Sequence, residues 1–202
     1  MQEKRQTKAE KHAATRAALL ATARRLFAAQ GFAETGTEDV VREAGVTRGA
    51  LYYHFADKRA LFEALVESIA AEVLAAIEAA AAQATSPLDA LIRGSAAFLD
   101  ACLQPDARQI FLVDAPSVIG WQRWREIDGR YGRGSLRQGV EAALAELPKD
   151  RQISAEALTF LLTGAMNEAV LWLAEAENEM AARDAADTAL NRILTLLFEP
   201  VR

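Results

Sequence analysis

Residues 44–55 read Ala44-Gly45-Val46-Thr47-Arg48-Gly49-Ala50-Leu51-Tyr52-Tyr53-His54-Phe55, and they decide the fold. Gly45 suits the left-handed turn that ends one helix, and Thr47 is an N-cap for the next. On a wheel of about 100° per residue, Arg48, Tyr52, Gly49 and Tyr53 share one arc, at roughly 0°, 40°, 100° and 140°. Ala50, His54, Leu51 and Phe55 share the other, at roughly 200°, 240°, 300° and 340°. The second arc suits packing on a preceding helix through Val40, Val41 and Ala44. The first presents a cation, two amphipathic aromatics and a glycine that admits close approach of another backbone. Such a helix beside a glycine turn fits the major groove of DNA, where arginine pairs with guanine O6 and N7 and tyrosine meets phosphate or a thymine methyl. Thr37 and Thr47 would aim hydroxyls and helix N-termini at phosphates.

On either side the chain reads as helix almost throughout. Ala and Leu dominate, period-two alternation is missing, and Gly, Pro and Ser fall where helices end. Leu19, Ala23, Leu26 and Phe27 form the stripe of a first helix reaching about Gln30, with Gly31-Phe32 as its cap. Thr37 is read as the N-cap of a short helix ending at Ala44-Gly45, with Glu38 and Asp39 at its positive end. Asp57 caps a long helix from Lys58 to about Ala84, and Ser86-Pro87 opens one to about Leu103. Residues 106–113 make a short helix broken by Asp114-Ala115-Pro116-Ser117. A glycine-interrupted stretch follows to about Leu147, then helices from Ser154 to about Ala176 and from about Ala182 to Phe198. The expectation is an all-α fold of about nine helices: a head over residues 1–60, with a basic N-terminal arm, and a helical body over residues 61–202.

Composition supports a globular chain: 202 residues, 51% hydrophobic, 25% charged, with mean hydropathy of zero. The net charge of −5 hides an asymmetry, because residues 1–60 hold 11 Lys+Arg against 7 Asp+Glu and the rest 12 against 21. A basic head on an acidic body points to phosphates as the head's partner. One cysteine, Cys102, and two histidines, His12 and His54, exclude a disulfide framework and leave too few ligands for most metal centres, so no metal and no cofactor is expected. Cys102 reads as a small buried residue. No histidine pairs with a nucleophile and no glycine loop cradles phosphate, which argues against an enzyme. Arg24 and Arg25 interrupt the first apolar helix, so a secretory signal is not expected. No span approaches the about 20 apolar residues of a membrane helix, since even Ile69–Ala84 carries Glu72 and Glu78. A reducing cytoplasm is the expected location.

The runs Ala18-Leu19-Leu20, Ala28-Ala29-Gln30-Gly31-Phe32, Thr37-Glu38-Asp39-Val40-Val41, the stretch quoted above, and Asp57-Lys58-Arg59-Ala60-Leu61 together resemble the DNA-binding head of the tetracycline-repressor (TetR) family. The resemblance covers about a quarter of the chain and rests on ordered apolar, glycine and aromatic positions. One departure is Val40-Val41, where the family often has Ile-Ala. It implies a dimeric all-helical repressor with a helix-turn-helix head of three helices and about six more for ligand binding and dimerisation. By position, Arg48, Gly49, Tyr52 and Tyr53 would face double-stranded operator DNA, and Thr37, Thr47, His54 and Lys58 would hold phosphates.

Several residues admit two readings. Tyr52 and Tyr53 suit core packing or DNA contact, and His54, at the edge of the apolar arc, suits packing or a phosphate. Lys4, Arg5, Lys8, Lys11 and Arg16 form either a solvated tail or a minor-groove arm. Arg24 and Arg25 read as solvent-facing charges. Trp121, Trp124 and Tyr131 belong to the core or to the wall of a pocket whose polar groups would be Arg108, Asp114, Arg123, Asn167 and Glu168. The helix from Ser154 to Ala176 is apolar all round and needs cover on both sides. Leu158, Leu161, Leu162, Ala165, Ala169 and Trp172, with Leu190, Ile193, Leu194 and Leu197 of the last helix, are the expected homodimer interface. The sequence thus favours a ligand-responsive regulator, by family resemblance a repressor, that binds a palindromic operator and leaves it when a small, mostly apolar effector shifts the long helix from Lys58. A constitutive DNA-binding protein without effector is the alternative.

Overall fold

The computed structural model describes residues 7–198; Lys4 and Arg5 lie outside them. Helix α1 (Lys8–Glu34) opens with a capping box in which the Thr7 hydroxyl accepts from the Glu10 N–H and the Glu10 carboxylate accepts from the Thr7 N–H. Lys8, Lys11 and Arg16 therefore belong to a helix, and the Arg16 guanidinium sits 5.4 Å from the Phe55 ring centroid. Gly31, at φ 77°, leaves helical geometry and kinks α1 where the first helix was expected to end, and a short helical piece carries on to Glu34. The N-cap of α2 (Thr37–Ala44) is Gly36, not Thr37, which is the first helical residue. Gly45 is left-handed at φ 65°, and the Thr47 hydroxyl caps α3 (Arg48–His54) by accepting from Ala50 N–H at 3.1 Å.

Asp57 caps α4 (Lys58–Ala81), and Ser86 caps α5 (Pro87–Leu103) with proline in the first turn. The short helix expected at 106–113 is α6 (Pro105–Ala107) running into a π-helical turn (Arg108–Asp114) and α7 (Ala115–Val118). Pro116 does not break the path, because it lies in the first turn of α7 where no intrahelical donor is required. The chain completes α8 (Trp121–Arg130), α9 (Gly132–Ala145), α10 (Ala155–Glu175) and α11 (Glu179–Phe198).

One apolar core runs from Leu19 and Phe27 through Phe62, Leu65 and Ile69 to Ile110, Ile127 and Val170, joining head and body. Phe62 meets Phe27 and Phe32 edge-on, with centroids 5.2 and 5.0 Å apart. Polar ties reinforce the joint. Arg24 is not a free surface charge: it donates to Asp106 at 2.5 Å and to both Glu72 oxygens, at 2.8 and 2.7 Å. Arg59 also crosses the joint, donating to the Ile119 carbonyl at 2.8 Å, while Arg25 pairs with Glu43 of α2 within the head.

A second cluster joins Leu91, Val140 and Leu144 to Leu158, Leu162, Leu194 and Phe198. Helix α10 is the exception to the expected absence of a membrane-length span, since it is long and apolar enough by length and composition. Its Leu158, Leu162, Met166, Val170 and Leu173 are nonetheless buried inside the fold. Leu158, Leu162 and Leu194 are thus core residues of one chain rather than interface residues, and Leu194 is only 1% exposed. Ala169, Leu190 and Leu197 also pack on their own chain. Leu161 (72% exposed), Ala165, Trp172 and Ile193 face outward.

Candidate nucleic-acid interface and internal cavity

The two arcs of α3 separate in space as helical geometry requires. Leu51 and Phe55 are buried, whereas Arg48, Gly49, Tyr52 and Tyr53 are exposed, Tyr53 at 73%. The Arg48 guanidinium lies 5.6 Å from the Tyr52 centroid and pairs with Glu38 of α2 at 3.0 Å. That pair is exposed on both sides, so water competes with it and a stronger anion can replace it at little cost. A Cβ on Gly49 would meet nothing nearer than the Thr47 hydroxyl oxygen at 4.0 Å. No neighbour in the chain therefore demands a glycine there, and the bare surface is available to an incoming molecule. Thr47 stays exposed, its oxygen holding the cap while its proton is free for donation.

His54 is half-buried against α1, its ring 4.2 Å from that of His12 and edge-on to Tyr53 at 5.5 Å. Burial, and then the charges of His12 and Arg16, hold its pKa below the ordinary value. A proton on this ring is thereby disfavoured while no anion is near. Thr37 is half-buried at the start of α2.

Lys58 does not have the phosphate-holding geometry. Its ammonium donates to the carbonyl oxygens of Phe32 at 2.7 Å, Ala33 at 3.3 Å and Thr35 at 2.8 Å, and sits 4.2 Å from the Phe32 ring centroid. Three donors meet three acceptors, leaving none for phosphate. The side chain instead closes the end of α1, whose carbonyls carry partial negative charge.

In the body, a cavity of about 210 Å³ opens between α4, α5, α9 and α10. Its walls are mainly apolar, including Ile77, Leu91, Phe98, Leu136 and Met166, with Asp128 and Arg133 among the polar members. None of the eight residues expected to bind a ligand lines it. Trp124, 4% exposed, is fixed in the core by its indole N–H donating to the Phe111 carbonyl at 2.8 Å. Trp121 is 61% exposed, and Arg125 lies 5.7 Å from its ring centroid. Arg123 is engaged by Glu63 at 2.6 Å, Glu67 at 3.1 Å and Glu126 at 3.2 Å. The Asp114 carboxylate accepts from the Phe32 N–H and the Gln109 amide, each at 3.0 Å, so it ties body to head. Tyr131 packs on the core, Arg108 is half-buried in the π-helical turn, and Glu168 is exposed. Asn167 has a buried Oδ1 without a hydrogen-bond partner, but away from this cavity's lining.

The sequence reading missed Asp128 and Arg133. Asp128 is 3% exposed, and its carboxyl is pushed above the ordinary pKa by burial, against the opposing charges of Arg133 and Arg125. Its Oδ2 lies 3.6 Å from Arg133 Nη1, and each of these buried atoms lacks a hydrogen-bond partner. Cys102, as expected, is buried, its thiol pushed up to about 12 first by that burial.

A two-helix unit with a glycine turn, an exposed second helix and a helical body enclosing a cavity defines the helix-turn-helix regulators. Comparison with known proteins gives the family. Residues 19–65 match the bacterial regulatory proteins of the tetR family and residues 88–197 the tetracyclin repressor-like C-terminal domain. The chain belongs to the TetR family. A TetR-family transcriptional regulator from Pectobacterium atrosepticum is 32% identical, with a TM-score of 0.76 over 98% of this chain and 100% of that one. The Tn10 TetC protein from Escherichia coli is 26% identical over 160 residues, 77% of this chain and 78% of its own. The transcriptional regulator TtgR of Pseudomonas putida is 46% identical over 55 residues, 27% of this chain and 26% of its own length. That similarity spans about a quarter of TtgR.

Proposed function

We infer that the protein is a transcriptional repressor that binds a palindromic operator as a homodimer and is released by a small, mostly apolar effector held in the body. The observation that carries the DNA-binding part is the exposed arc of α3. Arg48, Gly49, Tyr52 and Tyr53 are exposed on a helix whose other side is buried, the disposition a recognition helix needs in a major groove. Thr47 supplies a phosphate-facing hydroxyl, and His54 and Thr37 flank the same surface. The dimer reading draws support from the outward apolar residues Leu161, Trp172, Ile193 and Leu196 on α10 and α11, because a second subunit would cover them. The cavity favours an effector over constitutive binding. Ile77 and Ala81 of α4 line it, and α4 begins three residues after α3's cap, so a ligand pressing on α4 would move the head.

Selection of bound duplexes from a random pool tests the operator. Inverted repeats are expected, and Arg48→Ala should cost about 1–3 kcal/mol of binding and relax preference at one base pair of each half-site. Recovery of sequences with no twofold repeat, together with an unchanged preference in Arg48→Ala, would refute the reading.

A further inference from the structure

Five residues apart across the α8–α9 junction, Asp128 and Arg133 face one cavity with opposite charges that do not satisfy each other. Their closest approach, Oδ2 to Nη1, is 3.6 Å, and neither atom has a hydrogen-bond partner. A buried carboxylate oxygen and a buried guanidinium nitrogen left open are costly, and native folds keep few of them. Arg133 is held in place from behind. Its other terminal nitrogen donates to the Arg125 carbonyl at 3.2 Å, its guanidinium lies 5.0 Å from the Phe160 centroid, and Gly129 leaves its lane clear. A Cβ at Gly129 would stand 2.3 Å from Arg133 Nη2. The rest of the wall is mainly hydrocarbon: Ile77, Leu91, Phe98, Leu136 and Met166.

We propose that this cavity takes a neutral, ring-sized molecule with an apolar body and one hydroxyl or carboxamide head, the head donating to Asp128 Oδ2 and accepting from Arg133 Nη1. Resting on the effector reading above, this names the effector's chemical class. Size follows from volume, since about 210 Å³ exceeds the ~150 Å³ void that accepts benzene. Neutrality follows from the pair. A carboxylate would gain Arg133 but meet Asp128, an ammonium the reverse, and either would lose its hydration to an apolar wall. A head that both donates and accepts satisfies both open atoms at once, as an uncharged hydroxyl does.

Calorimetric titration of the full chain with ethylbenzene, para-ethylphenol, para-ethylbenzoate and para-ethylbenzylamine reads this directly. The phenol should bind about tenfold or more tightly than each of the other three, the gap expected from roughly one charge-assisted hydrogen bond. Asp128→Asn keeps the shape but leaves Arg133 as the sole charge, so the benzoate should overtake the phenol. Arg133→Met leaves Asp128 as the charge in the cavity, so the amine should bind more tightly than the benzoate. Equal affinities, tightest binding by ethylbenzene, no saturable heat with the phenol at millimolar concentration, or an unchanged order in Asp128→Asn would overturn the proposal. If a variant melts below the working temperature, the wild-type order decides alone. Operator affinity measured in the same samples keeps the two readings apart: phenol binding without operator release would end the effector reading and leave this one standing.

Discussion

The recognition helix and the cavity wall treat polar groups in opposite ways. On α3 the groups that would meet a ligand stand in water, while the groups that hold the head together are engaged: Lys58 donates to three carbonyls, and the Asp57 carboxylate accepts from the Ala60 N–H. In the body the order is inverted, since Asp128 and Arg133 line the cavity from inside the fold and each keeps a buried atom without a hydrogen-bond partner. Exposed polar groups cost the fold little, whereas buried open ones oppose it. The head can therefore be rigid before it meets DNA, and the body keeps a local penalty that a suitable ligand would remove. Ligand binding should accordingly raise the stability of the body, by mass action as well as by relief of that pair.

The largest expected effect separates covered from uncovered apolar positions in the body. Leu194→Ala, at a site 1% exposed, should cost about 2–5 kcal/mol in denaturant unfolding. Leu161→Glu, at a site 72% exposed, should leave the melting point of a monomer little changed but shift the elution volume from dimer to monomer. A folded, stable Leu194→Ala protein would mean that the α10–α11 contact contributes little. Next comes the scaffold of the head. Lys58→Met should lower stability by about 1.5–3 kcal/mol, the range for hydrogen bonds to a charged group, with loss of operator binding following from a loosened head. If Lys58 acted on phosphate instead, the melting point would hold and the salt dependence of binding would flatten by about one ion. Thermal melts beside a salt titration distinguish the two.

The head was legible in the sequence because its signals are local. Caps, the Gly45 turn and the two arcs of α3 all lie within a few residues of the positions they govern, and the structure keeps them, apart from the cap moved from Thr37 to Gly36. Lys58 was misread because its partners are backbone carbonyls of residues 32, 33 and 35, which no side-chain pattern announces. The same holds more strongly in the body. Asp128 and Arg133 acquire meaning only when α4, α5 and α10 close over them, and the two tryptophans drew attention because large aromatics suit a pocket and a core equally. A partial signal was present in the glycine-interrupted stretch before Leu147, since Gly132 and Gly139 line the cavity. For α10, an apolar circumference shows that both faces need cover without showing which face its own chain covers.

A subtler effect isolates the cost of the cavity pair. Burial raises the Asp128 pKa, so between the ordinary carboxyl value of about 3.9 and the raised folded value the folded state holds the extra proton. Stability is then fully present below about pH 4 and is lost as pH rises through the folded value, because the unfolded chain ionises freely while the fold must ionise a buried group. Asp128→Asn removes this loss. Its melting point should match wild type in mild acid and exceed it at neutral pH, with the gap opening as pH rises. A variant less stable than wild type at neutral pH would show that Arg133 more than compensates the buried charge, and the contrast between head and body would narrow.

The smallest effect belongs to Trp121, which suits either the core or a pocket wall in the sequence. At 61% exposure its indole gives up only part of the burial a core tryptophan would, so Trp121→Ala should cost about 1 kcal/mol or less. Its ring meets the Trp124 ring at 4.9 Å and the Arg125 guanidinium, neither of which lines the cavity. Trp124 is fixed independently by its hydrogen bond to Phe111, so the core below should hold its position when Trp121 is cut back. The order of affinities for the four ethylbenzene derivatives should then be that of wild type, and so should any operator release. A Trp121→Ala protein that binds the phenol tenfold more weakly would return the indole to the binding site and require the cavity to extend towards α8's N-terminus.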